Sequence, residues 1–486
     1  MNHKTHILII LSYTLIASSA FGADPQPSFR SAGLPVTLAL DKPGYVTAVI
    51  ERADGRRVSN LASEVKAQAG PITFNWDFYD VGVQKGEKEP YTRTLVKPGT
   101  YTVRGLVHDG IDLRYEMSVY SPGTPPWKTE DTSGTWMGDH AAPSDVLHLA
   151  KGPDGSPAMV LATSCAECGH ALCYADLSGK KFKGINSDNF NGAKAIARDV
   201  APGAEAGVVY FVNNVGLCAG LTEKGKHQVL FKYTPKKPYP TIDEYGFLDL
   251  AVRGGVAVIS NTDNGDNMDT TTGNLLVVDI AKQTMLANLE TGPSRGVAFG
   301  PDGKLYAIIG QAVVRYALDA AGVPTKEAEV VTGLLEPRRL RFDAAGNFYV
   351  GEWGTRHQIK VFDKTGKLVR TIGKAGGPQI GKYDEERMDR PDGMAVDAQG
   401  QLWVAENSHV PKRISLWNAG TGKFLLATYG GPQYGGGGTL DPVDKTIFYY
   451  PHGVAPMEKA SMAFKLDWAT GQSRLTHILT RTPLMG

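Results

Sequence analysis

Glu352 and Glu406 are the acidic residues of this chain best placed to do chemistry. Each closes an apolar run of the same design, FYVGE at 348–352 and LWVAE at 402–406. Aligning similar runs brings Asn213, Asn261 and Ile309 to the equivalent step. Two carboxylates and two amide oxygens converging on one point would suit calcium, or zinc if a histidine joined them. Without a metal, Glu352 and Glu406 would be a general acid and base, with His409 as a third catalytic candidate. The plainer reading, which carries more weight, is that each Asn and Glu caps its own loop.

A second set surrounds these positions. The residues that begin the preceding apolar runs include Arg295, Arg338, Arg339 and Asp392. Just beyond the second runs come Trp353, Arg356, His357, Asn407, His409 and His452. Forked guanidinium donors beside a flat indole are what an acidic sugar or another carboxylated ligand requires. Surface charge, or pairing within one module, is the duller account of the same arginines. Between them lies an excursion, KAGGPQIGKYDEERMDR at 374–390, which is a lid or a solvated loop. The glycine run at 430–438 is followed by no Gly-Lys-Ser/Thr, so it is a flexible turn. No G-x-S-x-G elbow, HExxH helix or dinucleotide fingerprint occurs.

The elements that must position these residues are legible in three repeats. VAFGPDGKLYAIIGQ, LRFDAAGNFYVGEWG and MAVDAQGQLWVAENS start at Val297, Leu340 and Met394, 43 and 54 residues apart. Each is an apolar run, an Asp/Gly turn and a second run with an aromatic residue, which is the pattern of a β-hairpin. The spacing matches one propeller blade of roughly 40–50 residues. Such a unit cannot bury both faces alone and must stack on copies of itself. From 139 to 486 the chain has room for seven blades, with six or eight as the alternatives. Upstream, 33–120 reads as a β-sandwich with Trp76 in its core, and 121–138 as a Pro/Gly/Ser/Thr-rich linker. The fold class is all-β. Residues 1–23 read as a secretory signal peptide, too short to span a membrane.

The repeats resemble the NHL family of propellers. The matching stretches are Asp343–Gly346, Tyr349–Glu352 and IKVFD at 359–363, then Asp397–Gly400, Trp403–Glu406 and RISLWN at 413–418. The sandwich resembles the Ig-like domain of flagellar hook-capping (FlgD-like) proteins through DGRRV at 54–58, Asn75-Trp76-Asp77, Asp80, Gly82 and KPGTY at 97–101. It departs from that pattern at an insertion spanning Gln84–Thr94. TWMGDHAAPSDV is similar to secreted bacterial proteins that join such a sandwich to a propeller. A similarity to gluconolactonase-type propellers implies a divalent metal held by Glu, Asn and Asp at the funnel.

Composition narrows the partners. The 51 basic and 50 acidic residues cancel, which argues against nucleic acid and anionic membranes as targets. Cys165, Cys168, Cys173 and Cys218 are even in number, as disulfides in an oxidising compartment would be, with a zinc site including His170 as the lesser alternative. The resulting expectation is a secreted or periplasmic binding module. Its funnel would hold a glycan, a small molecule or a protein. A metal-dependent carbohydrate-active or lactonase-like enzyme is the alternative.

Overall fold

The computed structural model describes residues 15–16, 33–83, 92–111, 116–117, 119, 137–138, 141–164, 170–186, 192–204, 207–213, 216–220, 227–233, 246–262, 272–320, 322–409, 411–430, 437–452 and 459–482. The chain divides into two compact units, Met1–Tyr115 and Glu116–Gly486. Among the described residues no helix is long and apolar enough to cross a membrane. Of the expected signal peptide only Leu15–Ile16 is described, a two-residue strand beside Thr100 and Tyr101. Most of the expected linker, 121–136, lies outside the described residues, as do 84–91 of the insertion.

The first unit holds two antiparallel sheets. Leu34–Leu40 pairs with Gly70–Trp76, and Gly44–Arg52 lies between Arg57–Ala67 and Thr100–His108. Alternate residues Val36, Leu38 and Leu40 of one sheet and Val46, Ala48 and Ile50 of the other share one core. Period-2 burial of this kind follows from the pleat. Trp76 is in that core, edge-on to Tyr101 at 5.1 Å, with its Nε1 donating to the Tyr79 carbonyl at 3.3 Å.

The second unit repeats one four-stranded antiparallel sheet six times, over 143–186, 195–231, 247–290, 294–331, 337–372 and 391–430. The architecture is propeller-like. In every sheet the four strands follow one another in sequence, and the first is innermost. The sequence signature has a local cause. Asp343 Oδ1 accepts from the Ala345 and Asn347 amides at 2.9 Å, while its Oδ2 accepts from the Tyr349 hydroxyl at 3.2 Å. Asp397 repeats this with the Gln399 and Gln401 amides and with Trp403 Nε1, each at 2.9 Å. One carboxylate thus closes the turn and orients the aromatic residue of the next strand.

Six apolar cores lie between successive sheets. The one joining the sixth sheet to the first contains Trp403, Ala405, Ile414 and Leu416 with Met137, Val146, Met159 and Leu161. Among the described residues the packing therefore returns from the sheet of 391–430 to the first, as the alternative of six has it, and leaves residues 438–480 outside. That segment instead belongs to a five-stranded sheet built from Thr439–Leu440, Ile447–His452, Lys459–Asp467 and Gln472–Thr482, with Gly381–Lys382 at its edge. The seam between sixth and first sheets tolerates no bulk. A Cβ on Gly393 would press into the Asp145 Cα and Oδ1 and sit 2.8 Å from the Ser144 carbonyl oxygen. Gly393→Ala is expected to lower stability by about 3 kcal/mol, as overpacking against backbone does. Chemical denaturation checks this, and an unchanged midpoint would mean the two inner strands are not held this close.

Candidate functional site

The inner strands of the fourth, fifth and sixth sheets are SRGVAF, PRRLRF and PDGMAV. Each carries a register irregularity between its first and fourth residues, at Ser294/Val297, Pro337/Leu340 and Pro391/Met394. A bulge re-aims side chains, so Arg295, Arg338 and Asp392 occupy one equivalent step. Gly296, Arg339 and Gly393 occupy the next. These starts lie opposite the ends of the second strands, with Pro337 facing Glu352 and Pro391 facing Glu406. One end of the cycle therefore gathers the candidates carried by these sheets.

Arg339 does not belong to an open funnel. Its Nη1 reaches Asp249 Oδ1 at 2.7 Å and Asp145 Oδ2 at 3.3 Å, its Nε reaches Asp392 Oδ1 at 3.0 Å, and its Nη2 donates to the Lys194 carbonyl at 2.6 Å. Arg341 adds bonds of 2.8 Å to both Asp249 and Asp145. The same two aspartates accept from the backbone amides of Ile196 and Val297. All six sheets thus contribute to one buried knot on the axis. Room for it comes from Gly296, where a Cβ would stand 2.8 Å from the Arg339 Cα. Burial opposes the charge on Arg339, but Asp392, Asp145 and Asp249 outweigh it and hold the guanidinium above its usual range. For Asp249 burial is likewise outweighed, by Arg341 and Arg339, and its carboxyl is held low.

Above this knot sits a different arginine. Arg338 is stacked on Trp353, its guanidinium carbon 3.8 Å from the ring centroid, and the Arg390 guanidinium carbon lies 5.9 Å from the same ring. Trp353 is held by its Nε1 bond to the Pro391 carbonyl at 3.0 Å. The Arg338 Nε is buried and has no hydrogen-bond partner among the described residues. Burial first, and then the nearby charge of Arg295, pull this guanidinium down to about 10. Arg390 adds to the repulsion, Asp392 and Glu336 relieve part of it, and the side chain is half-buried. Asn407 stands at the rim, its Nδ2 3.4 Å from Asp392 Oδ2.

The two glutamates do not meet. Glu352 is fully buried and accepts from the Leu335 amide at 2.7 Å and from Arg356 Nη1 at 2.7 Å. Glu406 accepts from Arg413 at 2.8 Å, Ser415 Oγ at 2.6 Å and the Asp389 amide at 2.8 Å. Each serves its own sheet, as does Asn261, whose Nδ2 donates to Asn274 Oδ1 at 2.8 Å. Asn213 is buried near the Cys218 thiol, 3.9 Å away. Among the described residues no group of three His, Cys, Asp or Glu side chains is arranged to hold a metal. The residues of the expected calcium or zinc site, Asn213, Asn261, Glu352 and Glu406, are instead each engaged by neighbours. Each carboxylate already has its cation.

The remaining candidates separate by location. His357 Nδ1 accepts from the Arg390 amide at 2.9 Å and lies 3.3 Å from Asp389, so it anchors the 374–390 excursion. His409 is half-buried at the end of the sixth sheet's second strand. His452 ends a strand of the five-stranded sheet, outside the six-sheet cycle, and its side chain is not among those described. The excursion is neither lid nor solvated loop. Met388 and Asp389 are buried, Gly381–Lys382 pairs with Ile478 and His477, and Arg481 reaches Asp389. Burial would raise the Asp389 carboxyl, but His357, Arg390 and Arg481 outweigh it and hold it well below the usual range. Cys165 and Cys168 lie outside the described residues. Cys173 and Cys218 are buried in different interfaces, first-to-sixth and first-to-second.

Sequence reasoning missed Asp145, Asp249, Arg341 and Arg390. A signal existed for Arg341, which sits two residues after Arg339 on an inner strand where the sister sheets have Ala298 and Ala395. A charge at a hub position normally filled by alanine asks for buried partners.

No family model matches the chain, and no curated protein matches it. Solved structures with a similar course include a gluconolactonase from Xanthomonas campestris, 14% identical over 61% of this chain and 96% of that one, with a TM-score of 0.39. The calcium-binding protein regucalcin from Agrobacterium tumefaciens is 17% identical, covering 59% and 85%, with a TM-score of 0.36. Virginiamycin B lyase from Staphylococcus aureus is 14% identical, covering 64% and 91%, with a TM-score of 0.35. Sheet order and the closed set of six inter-sheet cores, not these likenesses, identify the all-β, propeller-like fold of this chain.

Proposed function

We propose that the mouth above the arginine knot binds a carboxylated ligand, with an acidic saccharide as the class. The protein in this reading is a secreted or periplasmic NHL-type propeller carrying a FlgD-like, Ig-like sandwich. The observation that carries the site is Arg338, a half-buried side chain whose buried Nε has no hydrogen-bond partner among the described residues, stacked on Trp353 with other arginines beside it. A protein leaves a cation in that state at a cost, and an incoming anion removes the cost. The fixed indole offers a ring its apolar face, and the guanidinium offers a carboxylate two parallel donors.

Lactone opening is the second reading, favoured by Asp392. Its carboxylate stands at the rim between Arg339 and Asn407, where a base would meet the charge clamp for a forming carboxylate. Calorimetric titration with galacturonate and galactose tests the first reading: the acid should bind and the neutral sugar should not. Equal binding of both, or of neither, would overturn it. Base uptake in a pH-stat with gluconolactone, present in the wild type and lost in Asp392→Asn, would establish the second.

A further inference from the structure

We propose a second saccharide site, specific for acidic sugars, on the five-stranded sheet at the C-terminal end. It uses none of the mouth residues and does not depend on the reading given above. A surface groove of about 510 Å³ there is lined by Trp468, Lys465, Gln472 and Arg474, with the Asp467 carboxylate across the ladder from Gln472. Trp468 is 44% exposed, whereas Trp76, Trp403 and Trp417 are buried. Its Nε1 donates to the Lys445 carbonyl at 3.0 Å, which fixes the plane of the ring. An exposed indole that is already immobilised presents a flat apolar face with little entropy left to lose on binding.

Polar groups for the rest of a sugar stand beside it. Gln472 and Arg474 are two apart on one strand and share a face. Both are exposed, and neither side chain has a hydrogen bond or ion pair among the described residues. Lys465 lies directly across from Arg474 in the ladder. Two cations opposite one another repel, yet only Lys465 has a counter-ion, Asp444 at 3.0 Å. Among the described residues Arg474 therefore has no counter-ion. A carboxylate or sulfate on a pyranose stacked over Trp468 would supply it through the guanidinium fork, with Gln472 left for ring hydroxyls. Aromatic platform, amide and unpaired guanidinium in one groove specify an acidic saccharide.

Affinity electrophoresis separates this site from the mouth. The wild type should be retarded in gels containing polygalacturonate and should run freely in dextran. Trp468→Ala should weaken retardation roughly tenfold, the worth of one stacked ring. Trp468→Phe should restore part of it, and Arg474→Gln should remove the preference for the acidic polymer. These substitutions are made in an Arg338→Met background, which removes the mouth's own hold on the polymer and should by itself remain retarded. Thermal melting of each variant confirms folding. Equal migration of the wild type in both gels, or undiminished retardation of Trp468→Ala, would overturn the proposal.

Discussion

Replacing Arg339 by methionine should cost the propeller unit about 3–5 kcal/mol, the largest stability loss expected of any single substitution here. Its guanidinium is bonded to three aspartates and one carbonyl at the axis. Methionine fills much of the volume but leaves Asp392 without its guanidinium partner and Asp145 and Asp249 to share Arg341. Uncompensated charge in a dry site is the cost, not lost packing. The midpoint of denaturant unfolding should fall accordingly. Adding Asp249→Asn to Arg339→Met should return part of the loss, since one of the stranded charges is then gone. A single variant as stable as the parent would show that the knot contributes nothing to the fold.

Arg338→Met should do the opposite at the neighbouring residue. Loss of this guanidinium is expected to weaken galacturonate binding by roughly 100-fold, the range for truncating a desolvated charged contact. Stability without ligand should hold or rise. The sign follows from the direction of the shift. A guanidinium held at about 10 in the fold ionises less readily there than in the unfolded chain. The penalty is fully present below pH 10 and fades as the pH climbs toward the ordinary arginine value. Its size is on the order of 1–3 kcal/mol, against which the lost stacking on Trp353 counts for about 1 kcal/mol. Affinity of the wild type should also fall above pH 10, where Arg338 loses its charge. A methionine variant that binds galacturonate normally would remove Arg338 from the site.

The contrast between these two arginines shows how far the sequence could be followed. The hairpins were plain in it because Asp343 and Asp397 close their turns locally and tie the aromatic residue six positions on. Arg338 and Arg339 were visible as candidates, but their different fates depend on a bulge and on Gly296 in another sheet. Glu352 and Glu406 looked like converging ligands because equivalent positions do face one end of the cycle. Arg356, four residues on, and Arg413, seven residues on, claim them first. The choice among six, seven and eight sheets is not legible in the sequence for a related reason. Residues 439–482 have the strand pattern of a blade, and only the contact of Trp403 and Ile414 with Val146 and Met159 reveals that the cycle is complete without them.

Closure by contact alone has a mechanical consequence. Consecutive chain links the other junctions, whereas among the described residues no strand is exchanged across that of the sixth and first sheets. What crosses it is the apolar core of Trp403 and Met159, the Lys412 ammonium on the Gly138 carbonyl at 2.8 Å, and Arg339 gripping Asp392 and Asp145 together. The disc can thus spring open at a single place, like a split washer. Its central arginine is the rivet that keeps the gap shut.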